Sequence, residues 1–117
     1  MMISQMKLSN KNQIYLEDFR TPGSKVFTGR DRGKRVRIES NINEIEKNYD
    51  KVHVIIPDNV YSIIPSFFEE LFLDVVIKLG KEKFHDKFEV LSEGAYNPSR
   101  ALNEAVERIL RNNSALK

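Results

Sequence analysis

The hydrophobic pattern along the chain changes its period near the middle. Val52–Ile56 is five residues long and, apart from His53, consists of β-branched side chains, which favours a buried strand. Turn-forming residues follow at positions 57–59. Over residues 64–79 the apolar side chains recur at helical spacing, and Gly80 stands where a helix would end. A strand that leads into a helix buried along one side indicates an α/β sandwich.

Two shorter apolar patterns precede this central strand. In residues 13–19, Ile14 and Leu16 alternate with polar neighbours, as in a half-buried strand. Residues 25–27, beyond a Pro-Gly turn, are predicted to be a second short strand. We expect these two segments to pair as a hairpin. Residues 29–40 are predicted to be a helix, opened by Thr28 and Asp31 as a capping box.

The segments on either side of the central helix are more polar. Residues 43–50 are predicted to form a loop or a loose helical turn, and residues 81–87 a charged connector. Residues 88–91 have the composition of another strand. Asn97 and Pro98 are a strong start signal for a last helix. The apolar face of that helix comprises Leu102, Ala105, Val106, Ile109 and Leu110.

These elements predict an α/β (α+β) fold with a small mixed sheet of about four strands and about three helices packed mainly on one side. With 117 residues, the chain is expected to be one domain, residues 1–117, of which residues 1–12 are a loose N-terminus. Gly33 lies inside the first predicted helix, where glycine costs about 1 kcal/mol relative to alanine. Close approach of that helix to the sheet would offset the cost.

The composition contains no signature of catalysis, metal binding or membrane insertion. The chain has no cysteine, and its two histidines, His53 and His85, lack neighbouring ligands at metal spacing. No apolar run approaches the roughly 20 residues of a membrane span, and no leader-like segment stands at the start. We therefore expect a cytoplasmic protein that is not an enzyme and needs no cofactor.

A basic cluster occupies the first predicted helix and comprises Arg30, Arg32, Lys34, Arg35 and Arg37. Glycines and cations at a helix start can bind anions, but the glycine spacing here and Arg35 after the lysine exclude a P-loop. A solvated helix face is the simplest interpretation. The cluster could instead contact an acidic partner or a nucleic acid. Nucleic-acid binding stays the alternative function, although no aromatic residues are interleaved with the cations.

A second apolar stripe is expected on the central helix. Steps of 100° place Ser66, Leu73 and Ile77 on the side opposite the predicted core, beside Glu70. The stripe is compatible both with burial under a neighbouring helix and with a surface for a partner protein. Glu69 and Glu70 are adjacent, so they do not form an acid–base pair, and we interpret them as ordinary solvent-side charges.

Three segments of the chain carry a resemblance to a known family. They are Thr28-Gly29-Arg30 at the first helix, the strand sequence VHVIIPDNV and the helix opening SIIPSFFEELF. On these segments the chain, from about Phe27 to Leu79, resembles the STAS-like domain family of unknown function. That family is a bacterial offshoot of the fold shared by sulfate transporters and anti-sigma-factor antagonists (STAS).

In anti-sigma-factor antagonists the corresponding turn reads Asp-Ser-Ser-Gly. Its second serine is phosphorylated by a partner kinase of the histidine-kinase-like ATPase class. When this turn is carried over, Ile64, Pro65, Ser66 and Phe67 take the four places, and only Ser66 matches. The resemblance implies that Ser66 is the position of a possible phosphorylation.

The resemblance also implies a non-enzymatic regulatory module that docks a partner protein, such as a histidine-kinase-like ATPase, around Ser66. The predicted partner-binding residues are Ser66, Glu70, Leu73 and Ile77. The basic cluster would steer an acidic partner toward them. The sequence leaves open whether the chain forms homo-oligomers.

Overall fold

The computed structural model describes residues 12–114 and has an α/β architecture, which confirms the predicted class. The predicted loose terminus, residues 1–12, lies outside the described residues except for Asn12, which is hydrogen-bonded to Lys51 and His53. In chain order the elements are β1 (Gln13–Tyr15), a 3-10 turn (Leu16–Phe19), β2 (Val26–Phe27), α1 (Arg30–Ser40), α2 (Ile42–Asn48), β3 (Val52–Ile56), β4 (Ser62–Ile63), α3 (Pro65–Leu71), α4 (Leu73–Lys87), β5 (Phe88–Ser92) and α5 (Ser99–Ser114).

The strands form two parallel sheets instead of the single mixed sheet that was predicted. The main sheet has the order β1-β3-β5, and β2 pairs with β4 in a smaller sheet. All pairings are parallel, because helices connect β1 to β3 and β3 to β5 and return the chain to the same end. The central place predicted for Val52–Ile56 is confirmed. The predicted hairpin between residues 13–19 and 25–27 is wrong, because these segments belong to different sheets.

The helices also number more than the predicted three. Residues 43–50, predicted to be a loop or loose turn, are mostly helical in α2. The central helix is divided at Phe72, whose φ of −98° and ψ of 7° separate α3 from α4. Gly80, with φ of 81° and ψ of 170°, is not helical, so the first helical segment of α4 ends there as predicted, and a second segment follows across a kink. The helix resumes through residues 81–87 because Phe84 in this turn is fully buried in the core.

The predicted start signal is wrong for helix α1 and correct for helix α5. The N-cap of α1 is Gly29, with φ of 95° and no side-chain hydrogen bond, so the capping box of Thr28 and Asp31 does not form. A positive φ of this size is accessible to glycine without strain. Before α5, the side-chain oxygen of Asn97 accepts a hydrogen bond from the Ser99 amide at 2.9 Å, as the sequence indicates.

Six phenylalanines form a continuous aromatic core. Successive ring centroids are 5.1–5.9 Å apart, and most ring pairs are tilted or edge-on. Such pairs contribute about 0.5–1.5 kcal/mol beyond their burial. The rings connect β2 with α3, α4 and β5, so both sheets share one core. The six are Phe27, Phe67, Phe68, Phe72, Phe84 and Phe88, each at most 3% exposed.

The main sheet is sealed on one face. Along β3, Val52, Val54 and Ile56 are fully buried, whereas His53 and Ile55 between them are partly exposed. This alternation agrees with the prediction that the helices pack mainly on one side. We call the face that carries His53 and Ile55 the outer face.

Helix α1 approaches α3 most closely at Gly33. A Cβ atom at this position would overlap the carbonyl oxygen of Phe67 and would lie 2.9 Å from the Cβ of Glu70. Glycine is therefore required by space. The close approach predicted for Gly33 is confirmed, but the neighbour is helix α3 and not the sheet.

Glu46 connects α2 to both halves of the kinked helix α4. Its carboxylate is 4% exposed and accepts hydrogen bonds from Lys78 at 2.8 Å and from Lys87 at 3.0 Å, on either side of Gly80. Burial by itself raises the pKa of Glu46, but the hydrogen bonds from the two lysines outweigh burial and hold the pKa below its usual value of 4.5.

Gly33→Ala is expected to lower the free energy of unfolding by about 1–3 kcal/mol, the usual cost of overpacking. The sign of the change in stability is informative, because in an isolated helix alanine is more stable than glycine by about 1 kcal/mol. A loss of stability therefore reports the contact with α3. Urea denaturation measures the change. Lys34→Ala, at an exposed position of the same helix, is the matched control and should change stability by less than about 0.5 kcal/mol. A more stable Gly33→Ala variant would contradict the close contact.

Glu46→Gln is expected to destabilise the protein by about 1–3 kcal/mol near pH 7, because it weakens hydrogen bonds to two cations. Since the folded-state pKa is lowered, the carboxylate contributes stability above the unfolded-state pKa, and this contribution is lost as the pH falls through the folded-state value. The difference from the parent should therefore shrink below about pH 4.5 in urea titrations. Glu44→Gln, at an exposed position of the same helix, is the control. A difference that stays constant with pH would contradict the assignment.

Candidate functional site

The predicted stripe of Ser66, Leu73 and Ile77 is not one continuous surface. The helical break at Phe72 places Ser66 in the first turn of α3 and the other two residues on α4. Leu73 is partly buried and packs against the core, whereas Ile77 is 47% exposed. Of the two apolar members of the stripe, Ile77 offers the more accessible surface.

The two acids of α3 are engaged within the molecule. The Glu70 carboxylate lies 3.6 Å from both Arg30 and Arg37. The backbone carbonyl oxygen of Glu70 also accepts a hydrogen bond from the Arg37 side chain at 2.7 Å. Glu69 is 4% exposed and lies 3.3 Å from Arg30 and 3.0 Å from Arg108 of α5. The interpretation of both as solvent-side charges is wrong, because α1 and α5 flank α3. Glu70 holds α1 in place, and its predicted contact with a partner stays a prediction.

The same ion pairs occupy much of the basic cluster of α1. Arg30 and Arg37 face acids of α3 and α4. Arg32 donates a hydrogen bond to a backbone carbonyl of the 3-10 turn at 3.1 Å, and Arg35 lies 3.0 Å from an acid one turn further along α1. Among residues 12–114, Lys34 is the member of the cluster without an ion pair or such a hydrogen bond. The cluster therefore offers fewer unpaired cations to an acidic partner or a nucleic acid than the sequence suggests.

Exposed apolar side chains gather at the small sheet before α3. Val26 of β2, Tyr61 just before β4 and Ile64 just after it are 43%, 70% and 41% exposed. Val26 lies opposite Ser62, two positions before Ile64, so alternation of side chains places Val26 and Ile64 on the same side of the paired strands. Tyr61, which directly precedes β4, has the opposite parity and is exposed at the end of the small sheet. We call Val26, Tyr61 and Ile64 together the turn surface.

Backbone hydrogen bonds hold the turn surface in place. The Tyr61 amide donates to the carbonyl of Lys25 at 2.7 Å, and the Ile64 amide donates to that of Phe27 at 2.9 Å. The Lys25 ammonium lies 5.1 Å from the centre of the Tyr61 ring, a cation–π contact. Arg100 and Ile64 line a groove of about 320 Å³ between β4 and α5. Lys25 thus lies beside Tyr61, and Arg100 lies in the groove next to Ile64, where Glu104 also lines the wall and is paired with Arg108.

Sequence reasoning missed the turn surface. Ile64 was assigned to a buried helix face, and Val26 to a hairpin strand. A strand of two residues is too short to show the alternation that reveals which side chains point outward. The available signal was Tyr61, a large aromatic residue that lies between the two periodic segments.

The remaining titratable groups in the described part of the chain bear on possible metal sites and on shifted pKa values. Among residues 12–114, no three His, Cys, Asp or Glu side chains are placed to bind a metal ion, and no helix has the length and apolarity to cross a bilayer. His53 lies on the outer face of β3, with its Nε2 atom 2.8 Å from Glu89. A surface hydrogen bond of 2.8 Å raises the pKa of Lys81 and lowers that of Glu107.

Comparisons with protein-family models, curated proteins and solved structures give no match. The STAS-like resemblance therefore rests on the three sequence segments and stays a prediction. The geometry of the chain itself carries the functional argument that follows.

Leu73→Asp is expected to lower the free energy of unfolding by about 2–4 kcal/mol, because it places a charge against the core. Ile77→Asp, the matched variant one helical turn away, should cost less than about 1 kcal/mol. Thermal unfolding followed by circular dichroism compares the two. Equal losses would show that Leu73 and Ile77 are equally buried and would contradict the division of the stripe.

Proposed function

We propose that this chain is a non-enzymatic, cytoplasmic regulatory module that docks a partner protein through the strand, turn and helix around Ser66. The turn surface is the observation that carries this proposal. Its three large apolar side chains are exposed on a small sheet whose backbone is held by hydrogen bonds. Exposed apolar patches with a polar rim are typical of contact surfaces.

The position of the turn surface supports a STAS-like mode of docking. In the resemblance, the partner contacts the turn that precedes the helix carrying the phosphorylated serine. Ile64 lies two residues before Ser66, Val26 is on the same side of the paired strands, and Tyr61 directly precedes β4. By this resemblance, the proposed partner is an ATPase of the histidine-kinase-like class.

The positive charges beside the turn surface favour a partner segment that carries negative charge. Lys25 and Arg100 flank the turn surface, which favours a partner segment with apolar side chains next to carboxylates. Ser66 is partly exposed in the first turn of α3. A phosphate on Ser66 would add about −1.5 to −2 charges near these positive charges and would weaken the docking of an acidic segment.

Placing a photo-reactive phenylalanine analogue at position 61 tests the proposal in living cells. We expect a cross-linked product of discrete mass from Tyr61, because this side chain is 70% exposed within the turn surface. Ile38 of α1, which is 64% exposed outside it, is the matched control position and should give no such product. Ile64→Asp should abolish the cross-link and leave the unfolding curve unchanged.

Two outcomes would overturn the docking proposal. One is the same set of products from positions 61 and 38, and the other is a cross-link that survives Ile64→Asp. Mass spectrometry of the product then tests the partner class separately. An ATPase of the histidine-kinase-like class supports the STAS-like mechanism, and another protein refutes that class while it supports docking. A nucleic-acid adduct refutes both.

A further inference from the structure

The outer face of the main sheet carries an apolar row that the described residues leave accessible. Parallel sheets are as a rule covered on both faces, so an accessible row of this kind is unusual. The row comprises Tyr15, Ile55 and Leu91, which are in register across the three strands. Leu91 is 46% exposed, and the other two are partly exposed. We call these three residues the outer row.

Most polar groups on the outer face have partners, but the Nδ1 atom of His53 is buried and has no hydrogen-bond partner among the described residues. His53 Nε2 lies 2.8 Å from the carboxylate of Glu89, and the Tyr15 hydroxyl donates to the side-chain oxygen of Gln13 at 2.6 Å. One polar atom of the face is thus left unsatisfied, and the described residues leave the outer row without apolar cover.

The edge of the sheet next to the outer row is acidic. Glu17 and Asp18 follow β1, Asp58 follows β3, and Glu93 follows β5, and all four are exposed. Arg20 balances one of these charges through an ion pair with Glu17 at 2.8 Å. An occupant of this face should therefore combine apolar side chains with positive charge.

We propose that the outer face binds the chain's own residues 1–11. Their sequence, MMISQMKLSNK, has five Met, Ile or Leu residues, two lysines and no acid. The segment joins the sheet at Asn12, directly before β1, which is an edge strand of this face. Eleven residues reach at most about 36 Å, and the axes of three strands span about 10 Å. The segment is long enough to cross the outer row.

The size of the face favours an occupant from the same chain over a second copy. Three strands about 15 Å wide and five residues about 17 Å long cover about 250 Å². A stable interface between separate chains buries about 800 Å² on each partner. A tethered segment can bind a smaller area, because its effective concentration is in the millimolar range.

Paramagnetic relaxation in the full-length chain tests this inference, which is independent of the turn surface. Because the chain has no cysteine, Met6→Cys provides a single position for a nitroxide label. We expect loss of the amide signals of Tyr15, Ile55 and Leu91 in the ¹⁵N spectrum, and their recovery when the label is reduced. Leu91→Glu should restore the signals with the label intact. Unchanged signals in the labelled protein would overturn the inference.

Two further measurements keep the test decisive. Lys7→Glu changes no residue of the sheet, and should weaken the relaxation effect by reversing a charge that the acidic edge attracts. In the second measurement, protein that carries the nitroxide but no ¹⁵N is mixed with ¹⁵N-enriched protein that carries no nitroxide. Signal loss in this mixture would show that a second copy occupies the face and would overturn binding by the same chain.

Discussion

The contact between Gly33 of α1 and the backbone of Phe67 in α3 is the constraint on which the arrangement of the helices depends. Only glycine leaves room for this approach. Arg30 and Arg37 lie one turn to either side of Gly33 on the same helix face, within reach of the acids of α3. Close packing and charge pairing thus act at one crossing. The ring of Phe67 then meets that of Phe27 at 5.3 Å and attaches the small sheet to the core.

The crossing of α1 and α3 explains why the basic residues of α1 serve the structure more than they serve an outside ligand. A basic helix read in isolation suggests a surface for anions, but here it serves as one side of a helix–helix interface. Glu69 contributes on the other side, because Arg30 and Arg108 approach it from different helices. Ion pairs of this kind add little affinity for an outside ligand while they are engaged. The surfaces left for partners are therefore mainly apolar.

Within residues 12–114, the turn surface and the outer row are the two apolar surfaces formed by strands, and the fold separates them. The turn surface lies on the two-stranded sheet that leads into α3, and the outer row lies across the three-stranded sheet. Each is held by parallel strands whose register places exposed side chains next to one another. The shared phenylalanine core makes both sheets parts of one rigid support. A partner protein at the turn surface and residues 1–11 at the outer row would contact different residues, so both could bind at the same time.

The sequence by itself determined the elements whose pattern is local. The strand Val52–Ile56 and the apolar face of α5 follow from spacing over five to fifteen residues, which neighbours along the chain suffice to specify. Only the tertiary structure decided the parallel pairing of β2 with β4, the burial of Glu69 and the continuation of α4 beyond Gly80. Each of these depends on a residue distant in sequence that supplies a hydrogen bond, a counter-charge or a core contact. Such contacts leave no periodic signal in the segment that receives them.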